Sequence, residues 1–162
     1  MLEKSSVCPH HEAFLYELFV NTRLDEVTAW GWDESTKENF LKMQWTAQSR
    51  HFASEYPNVE HYVIRHEGQL VGRQMTSSTE QDVLLIDIAI LPNYRNQGIG
   101  TALIVELQEL AKRSRKRLRL SVLKTSAAVS LYHRLGFVTD KENDLYYFMK
   151  WFTTQNVFKE DA

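Results

Sequence analysis

The stretch Pro92-Asn93-Tyr94-Arg95-Asn96-Gln97-Gly98-Ile99-Gly100-Thr101-Ala102-Leu103-Ile104 joins an apolar run to a helical pattern through two glycines. That arrangement suits a phosphate-bearing ligand. The first N–H groups of a helix have no partner within it, glycine lets backbone approach a ligand without a Cβ between, and the helix dipole favours an anion. Arg95 adds a formal positive charge. Two familiar phosphate loops are excluded: no Gly-Lys-Ser/Thr follows, and the third small residue of a dinucleotide fingerprint would fall at Leu103. An ordinary left-handed turn would account for one glycine, but not for a pair with an upstream arginine. Asp87 is the second feature, a lone carboxylate inside the apolar run Val83–Ile90. Burial favours the neutral form of a carboxyl unless a donor pairs with it. Two readings therefore stand side by side: Asp87 takes a proton from an amine, or it is held by backbone or arginine donors and fixes the strands. His51, His61, His66 and Glu55 are reserve bases that could act through water.

The elements that must carry these residues follow from the period of the apolar positions. Phe14, Leu15, Leu18 and Phe19 mark a first helix beginning after Pro9 and ending near Gly31. Ser35 and Glu38 have capping-box spacing before a second helix, whose face is Leu41, Trp45, Gln48 and Phe52 and which runs to about Tyr56, before Pro57. The period then changes. His61–Arg65, a Glu67-Gly68 turn and the segment from Leu70 read as a hairpin, and Val83–Ile90 reads as a central strand covered on both faces. Leu103, Ile104, Leu107, Leu110 and Ala111 repeat at helical spacing, Arg117–Leu123 alternates as a strand, and Ala128 to Leu135 forms a helix stopped by Gly136. A last strand spans Tyr146 to Phe152. This succession implies an α/β fold, a mixed sheet with helices on both faces.

Composition bounds the rest. The 162 residues are 43% hydrophobic and 25% charged, as for one globular domain covering 1–162, and the single cysteine, Cys8, cannot form an internal bridge. Nineteen Lys+Arg against 21 Asp+Glu leave a net charge of −2, so no global positive field draws the chain to nucleic acid or anionic lipid. No apolar run approaches the roughly 18–20 residues of a membrane span, and the N-terminus lacks a basic region followed by an apolar core. A soluble cytoplasmic protein with no membrane partner is expected.

Ile88-Ala89-Ile90, Pro92, Arg95-x-x-Gly98-x-Gly100 and the later Ala128-x-x-Leu131-Tyr132-x-x-Leu135-Gly136-Phe137 resemble the GCN5-related N-acetyltransferases. The likeness is close over roughly Val83 to Phe137 and covers the first 80 residues only in outline. It implies a mostly antiparallel sheet with a splayed parallel strand pair, here Val83–Ile90 and Arg117–Leu123, and acetyl-coenzyme A lying in the split as co-substrate. On that likeness, backbone groups at Ile88 and Ile90, around Ala89, would pair with the pantetheine arm. The diphosphate would rest on the N–H groups of Asn96, Gln97, Gly98, Ile99, Gly100 and Thr101. Tyr132 resembles the family's general acid by position; its alternative is a core tyrosine on the Leu131–Leu135 stripe. A phenol near pKa 10 can protonate a thiolate of about 8.5 with a modest uphill step. The family commonly has an Asn just before this helix, where Thr125 and Ser126 stand here; a hydroxyl can make a comparable contact with the cofactor arm or cap the helix.

The implied reaction is N-acetyl transfer by direct attack of a primary amine in a ternary complex, against a non-catalytic acyl-coenzyme A sensor as the alternative. The acceptor is a small-molecule or protein amine. Trp30, Trp32, Trp45 and Tyr56 could wall its pocket by ring-face attraction, although Trp45 on its helical stripe reads more simply as core. Lys112 to Arg119 packs six cations into eight residues; at a helix C-terminus running into a strand it reads as a solvated basic edge, and nucleic acid is not an expected partner. The last strand and its aromatic residues could support a homodimer. Cys8, His10 and His11 lie at a chain end expected to be mobile, and no metal is expected.

Overall fold

A computed structural model describes residues 1–153. The elements run β1 (Leu2–Ser6), α1 (Glu12–Ala29), α2 (Glu34–Glu55), β2 (Glu60–His66), β3 (Gln69–Ser78), β4 (Asp82–Ile90), α3 (Ile99–Ser114), β5 (Arg117–Leu123), α4 (Ala128–Arg134), β6 (Val138–Glu142) and β7 (Tyr146–Trp151). The seven strands form one mixed, mostly antiparallel sheet in the order β1-β2-β3-β4-β5-β7-β6, with β4 and β5 parallel. Two compact units divide the chain: Met1–Met75 with Asp87–Arg95, and Thr76–Ile86 with the residues from Asn96 onward. Strands β3 and β4 each run from one unit into the other.

In the first unit, β1 lies antiparallel on β2 from Leu2↔His66 to Ser6↔Tyr62, so the N-terminal segment is a paired edge strand and not the mobile end expected from sequence. Polar residues there hid the strand. Helices α1 and α2 bury Phe19, Val27 and Leu41 against one another, with Tyr16, Val20, Phe40 and Trp45 around them. The helix-two N-cap is Asp33, whose carboxylate accepts the Thr36 N–H at 2.7 Å, and not Ser35 as the capping-box spacing suggested. The Glu67-Gly68 turn between β2 and β3 has positive φ at both residues, 51° and 80°, the conformation that a two-residue hairpin demands.

Strand β3 is buried from Val71 to Thr76 although it carries Arg73, Gln74 and Thr76, whereas β4 is only half-buried from Ile86 to Ala89. The apolar run thus marks the middle strand of the sheet, but not its most covered one. Charge pairing, described below, is what lets an arginine occupy the buried position.

In the second unit, α3 packs on β5 and buries Ile99, Leu103, Ile104, Leu107 and Ala111 with Leu118, Leu120, Phe137 and Met149. Leu110, expected on that face, is 39% exposed; Gln108 is buried instead, its Nε2 donating to Leu135 O at 2.8 Å. The parallel ladder pairs Asp82–Leu85 with Arg117–Leu120 and goes no further, while β5 continues to Leu123 on β7. Strand β7 lies between β5 and β6, so both its edges are occupied and it cannot offer the open edge that a strand-paired dimer would use. Among the described residues, no helix is long and apolar enough to cross a membrane.

Candidate active site

The glycine turn has the geometry that its sequence called for. Gly98 caps α3 in the left-handed region at φ 82°, and Asn96 just before it is also left-handed at φ 61°. The first intrahelical bond runs from Ala102 N–H to Gly98 O at 3.0 Å, so the N–H groups of Ile99, Gly100 and Thr101 precede it with no acceptor inside the helix. A Cβ built on Gly98 or Gly100 would meet nothing within 4 Å. The glycines therefore keep no neighbouring side chain at bay. One supplies the backbone conformation, and neither has a neighbour that an added methyl would meet.

Arg95 does not stand free beside this turn. Its Nε donates to the main-chain oxygen of Ile90 at 2.8 Å and so ties the end of β4 to the segment that follows it.

Asp87 has found an arginine. Arg73 Nε donates to Asp87 Oδ2 at 2.8 Å, with the arginine side chain 6% exposed and the carboxylate 32%. The second-helix face read from sequence converges on the same guanidinium. Gln48 Oε1 accepts from its Nη2 at 3.3 Å, and the rings of Trp45 and Phe52 lie 5.8 and 6.0 Å from its carbon. Trp45 is accordingly a packing residue, with its indole N–H on Glu12 at 3.1 Å. Asp87 is thus held by an arginine donor, as the strand-fixing reading required; its Oδ1 lies outside that bond.

Arg73 and Gly72 are the residues that sequence reasoning missed. Gly72 lies against β4: a Cβ there would sit 2.4 Å from the carbonyl oxygen of Ala89 and 2.8 Å from Ile90 Cδ1. A glycine and an arginine in succession, directly after the apolar pair Leu70-Val71, were the available signal. The arginine's partner is 14 residues away, across a hairpin.

His61, one of the reserve bases, is half-buried. Burial, then the positive charge of Arg73, push its pKa down to about 4, and its Nε2 is buried without a hydrogen-bond partner. His51 packs on Phe52 at 5.9 Å. Trp30 and Trp32 are 44% and 40% exposed, and they close on each other and on Phe40 at 5.0–5.5 Å in an aromatic cluster at the end of α1.

In the second unit, α4 is a helix of 7 residues followed by Gly136 at φ 95°. Tyr132 is half-buried, and its ring packs on buried Phe137 at 5.5 Å. Ser126 Oγ accepts the Ala128 N–H at 3.1 Å, a local turn bond from the residue before the N-cap, which is Ala127 and has no side-chain cap. The basic run is in part neutralised. Arg117 and Arg119 both reach Asp82, at 2.8 and 3.2 Å, and Arg119 also reaches Asp140 at 3.2 Å. Hydrogen bonds from Arg119 and Lys150 hold Asp140 below the usual carboxylate range.

The family model for the acetyltransferase (GNAT) domain matches residues 57–139, just over half of the chain, taking in the hairpin, the glycine turn and the Tyr132 helix. The chain belongs to the GNAT acetyltransferases. Its GNAT relatives include the [ribosomal protein bS18]-alanine N-acetyltransferase of Escherichia coli (strain K12), 35% identical over 78 residues that are 47% of this chain and 53% of that protein. The thialysine N-epsilon-acetyltransferase of Mus musculus is 43% identical over 60 residues, 36% of this chain and 35% of that one. The chain thus matches about half or less of the length of these curated relatives. Among solved structures, the GNAT fold is shared with the PaiA N-acetyltransferase of Thermoplasma acidophilum in complex with coenzyme A, at TM-score 0.70 and 16% identity over 94% of this chain and 99% of that one. The Escherichia coli ribosomal-protein-S18-alanine N-acetyltransferase superposes at TM-score 0.63 with 21% identity, covering 93% and 92%.

Proposed function

We propose that this GNAT chain is an N-acetyltransferase that moves the acetyl group of acetyl-coenzyme A to a primary amine by direct attack in a ternary complex, residues 1–162 acting as one acetyltransferase domain. The observation that carries the reading is the bare, left-handed glycine turn at the start of α3, within the segment that matches the family model. The residues present suit the group. The N–H groups from Asn96 to Thr101 would hold the diphosphate, and the half-buried main chain of Ile88–Ile90 would receive the amide-bearing arm. Acetyl-coenzyme A supplies an activated thioester carbonyl.

The residues of the chain then have three tasks. One is to accept the proton that the amine loses as its nitrogen bonds to the carbonyl carbon; Asp87 Oδ1 is assigned to this, directly or through water. Another is to give a proton to the sulfur as the carbon–sulfur bond breaks, assigned to the Tyr132 hydroxyl. The last is to keep the strand backbone still, which Arg73 does by fixing Asp87 and Arg95 by fixing Ile90 O. The acceptor is an amine of a small molecule or a protein; the two relatives named above are called after one acceptor of each kind.

Replacing Tyr132 with Phe tests the reading against a sensor that only binds acyl-coenzyme A. Thiol release in a screen of amines should fall by about 10²–10⁴-fold in the variant while calorimetric affinity for coenzyme A stays within a factor of two or so. Wild-type protein that binds coenzyme A but releases no thiol, whichever amine is supplied, would favour the sensor. No heat of association with coenzyme A would end both readings.

A further inference from the structure

We propose that Cys8, His10 and His11 form a metal site for a thiophilic d10 cation, Zn²⁺ or Cu⁺, bound by one sulfur and two imidazole nitrogens. The three residues occupy the link between β1 and α1, where Pro9–His11 makes a single tight turn. Each offers one ligand atom, and the three atoms lie within 4.8 Å of one another, the grouping of three potential metal ligands found among the described residues. Cys8 Sγ is 3.2 Å from His10 Nδ1, 3.4 Å from His10 Nε2 and 3.5 Å from His11 Nδ1. A cation with a metal–sulfur bond of about 2.3 Å and metal–nitrogen bonds of about 2.0–2.1 Å, at tetrahedral angles, sets sulfur and nitrogen about 3.6 Å apart. The sulfur and both rings already stand at nearly that separation.

The turn is tied to β2 at its start, where Val7 N–H donates to His61 O at 3.0 Å, and is closed internally by His11 N–H donating to Cys8 O at 2.9 Å. His11 is 4% exposed, and its Nε2 is buried with no hydrogen-bond partner. Its Nδ1 faces the cysteine and accepts the Cys8 N–H at 3.1 Å, a bond that ligation through Nδ1 would exchange for the metal. Cys8 is half-buried and His10 exposed, so a cation can enter from solvent past the residue most able to turn toward it. The rings of His10 and His11 are 4.4 Å apart and inclined at 52°. Cys8 Sγ is nearly equidistant from both His10 nitrogens and so lies over that ring's face, and the exposed His10 must rotate to aim one nitrogen at the cation.

The donor set selects the cation. One thiolate with two imidazoles favours borderline-soft and soft ions over Mg²⁺ or Ca²⁺, which take oxygen. Three protein ligands leave Zn²⁺ a fourth position for water or another donor, and suffice for Cu⁺. Binding removes the thiol proton, so affinity must fall as pH falls.

The test uses the untagged, metal-free full chain under anaerobic conditions. It is titrated with Zn²⁺ against a chromophoric zinc chelator and, in a second arm, with Cu⁺ against a chromophoric copper(I) chelator. One equivalent should bind in at least one arm, and the tighter arm names the ion. Cys8→Ser and His10→Ala, both at positions that solvent reaches, should each weaken that binding by tenfold or more while leaving the circular-dichroism spectrum unchanged. Co²⁺ substitution should give a thiolate-to-cobalt charge-transfer band that Cys8→Ser abolishes. Less than one equivalent bound in both arms, or binding unchanged in the two variants, overturns the proposal. Neither result bears on acetyl transfer, since none of the three residues has a part in it.

Discussion

Gly72→Ala is the perturbation whose consequence the structure states in distances. The added methyl would sit 2.4 Å from Ala89 O, and real Cβ atoms essentially never come within 3.0 Å of such a neighbour. Ile90 Cδ1, at 2.8 Å, is the end of a side chain and can swing aside; the carbonyl is backbone and cannot. Strands β3 and β4 must therefore part by about 0.6 Å, the difference between those two limits. The adjacent bond from Leu91 N–H to Val71 O, 2.8 Å long, would stretch toward the outer edge of hydrogen-bond range. Overpacking costs about 1–3 kcal/mol and a weakened hydrogen bond about 0.5–1.5 more, so a loss of about 1.5–4.5 kcal/mol is expected. Urea denaturation should show it as a lower midpoint at unchanged m-value. Because Ala89 lies in the strand assigned to the pantetheine arm, coenzyme A should also bind more weakly. The control is Gly100→Ala, the same chemical change where nothing lies within 4 Å of the new methyl. It should leave stability unchanged or raise it by up to ~1 kcal/mol, since alanine is the better helix residue, while weakening coenzyme A by crowding the diphosphate. A Gly72→Ala protein as stable as the wild type would refute the reasoning about close strand approach.

Further outcomes follow from the charged groups. With His61 held at about pKa 4 by burial and Arg73 against 6.5 unfolded, the unfolded chain takes the proton first as pH falls. Stability contributed by the neutral ring is therefore complete above pH 6.5 and drains away down to about pH 4, by about 1–2 kcal/mol after screening by the solvent that reaches it. His61→Gln should flatten that part of the stability-versus-pH curve; an unchanged slope would rule the histidine out as its source. Arg73→Met strips Asp87 of its donor and removes the cation beside Trp45 and Phe52, for a loss of about 2–3 kcal/mol, since the carboxylate is partly solvated. Adding Asp87→Asn should restore part of it, and a double-mutant cycle with no coupling would show the ion pair to be energetically idle.

What the sequence determined by itself is local in origin. Apolar periodicity marks α1 to α4 and the strands with apolar faces because a helix or strand must bury one side, and the Gly98 turn is legible because only glycine adopts its left-handed cap without strain. The Arg95 and Gly98 block together with the Tyr132 to Phe137 block identified the family because both are short stretches of contiguous chain. Contacts between distant residues were decided only by tertiary structure. Strand β1 is polar and becomes a strand by pairing with β2; the Asp33 cap displaces Ser35 because the turn aims its carboxylate at Thr36 N–H. The Arg73–Asp87 pair exists because a hairpin folds two opposite charges onto one another, and Gly72 matters because Ala89 O lies above it. Cys8, His10 and His11 are adjacent in sequence, yet it is the anchored turn between β1 and α1 that brings their donor atoms together. Spacing along a chain specifies which groups can share a helix face or a turn, whereas strand pairing, which joins residues of arbitrary separation, sets which groups meet across the sheet.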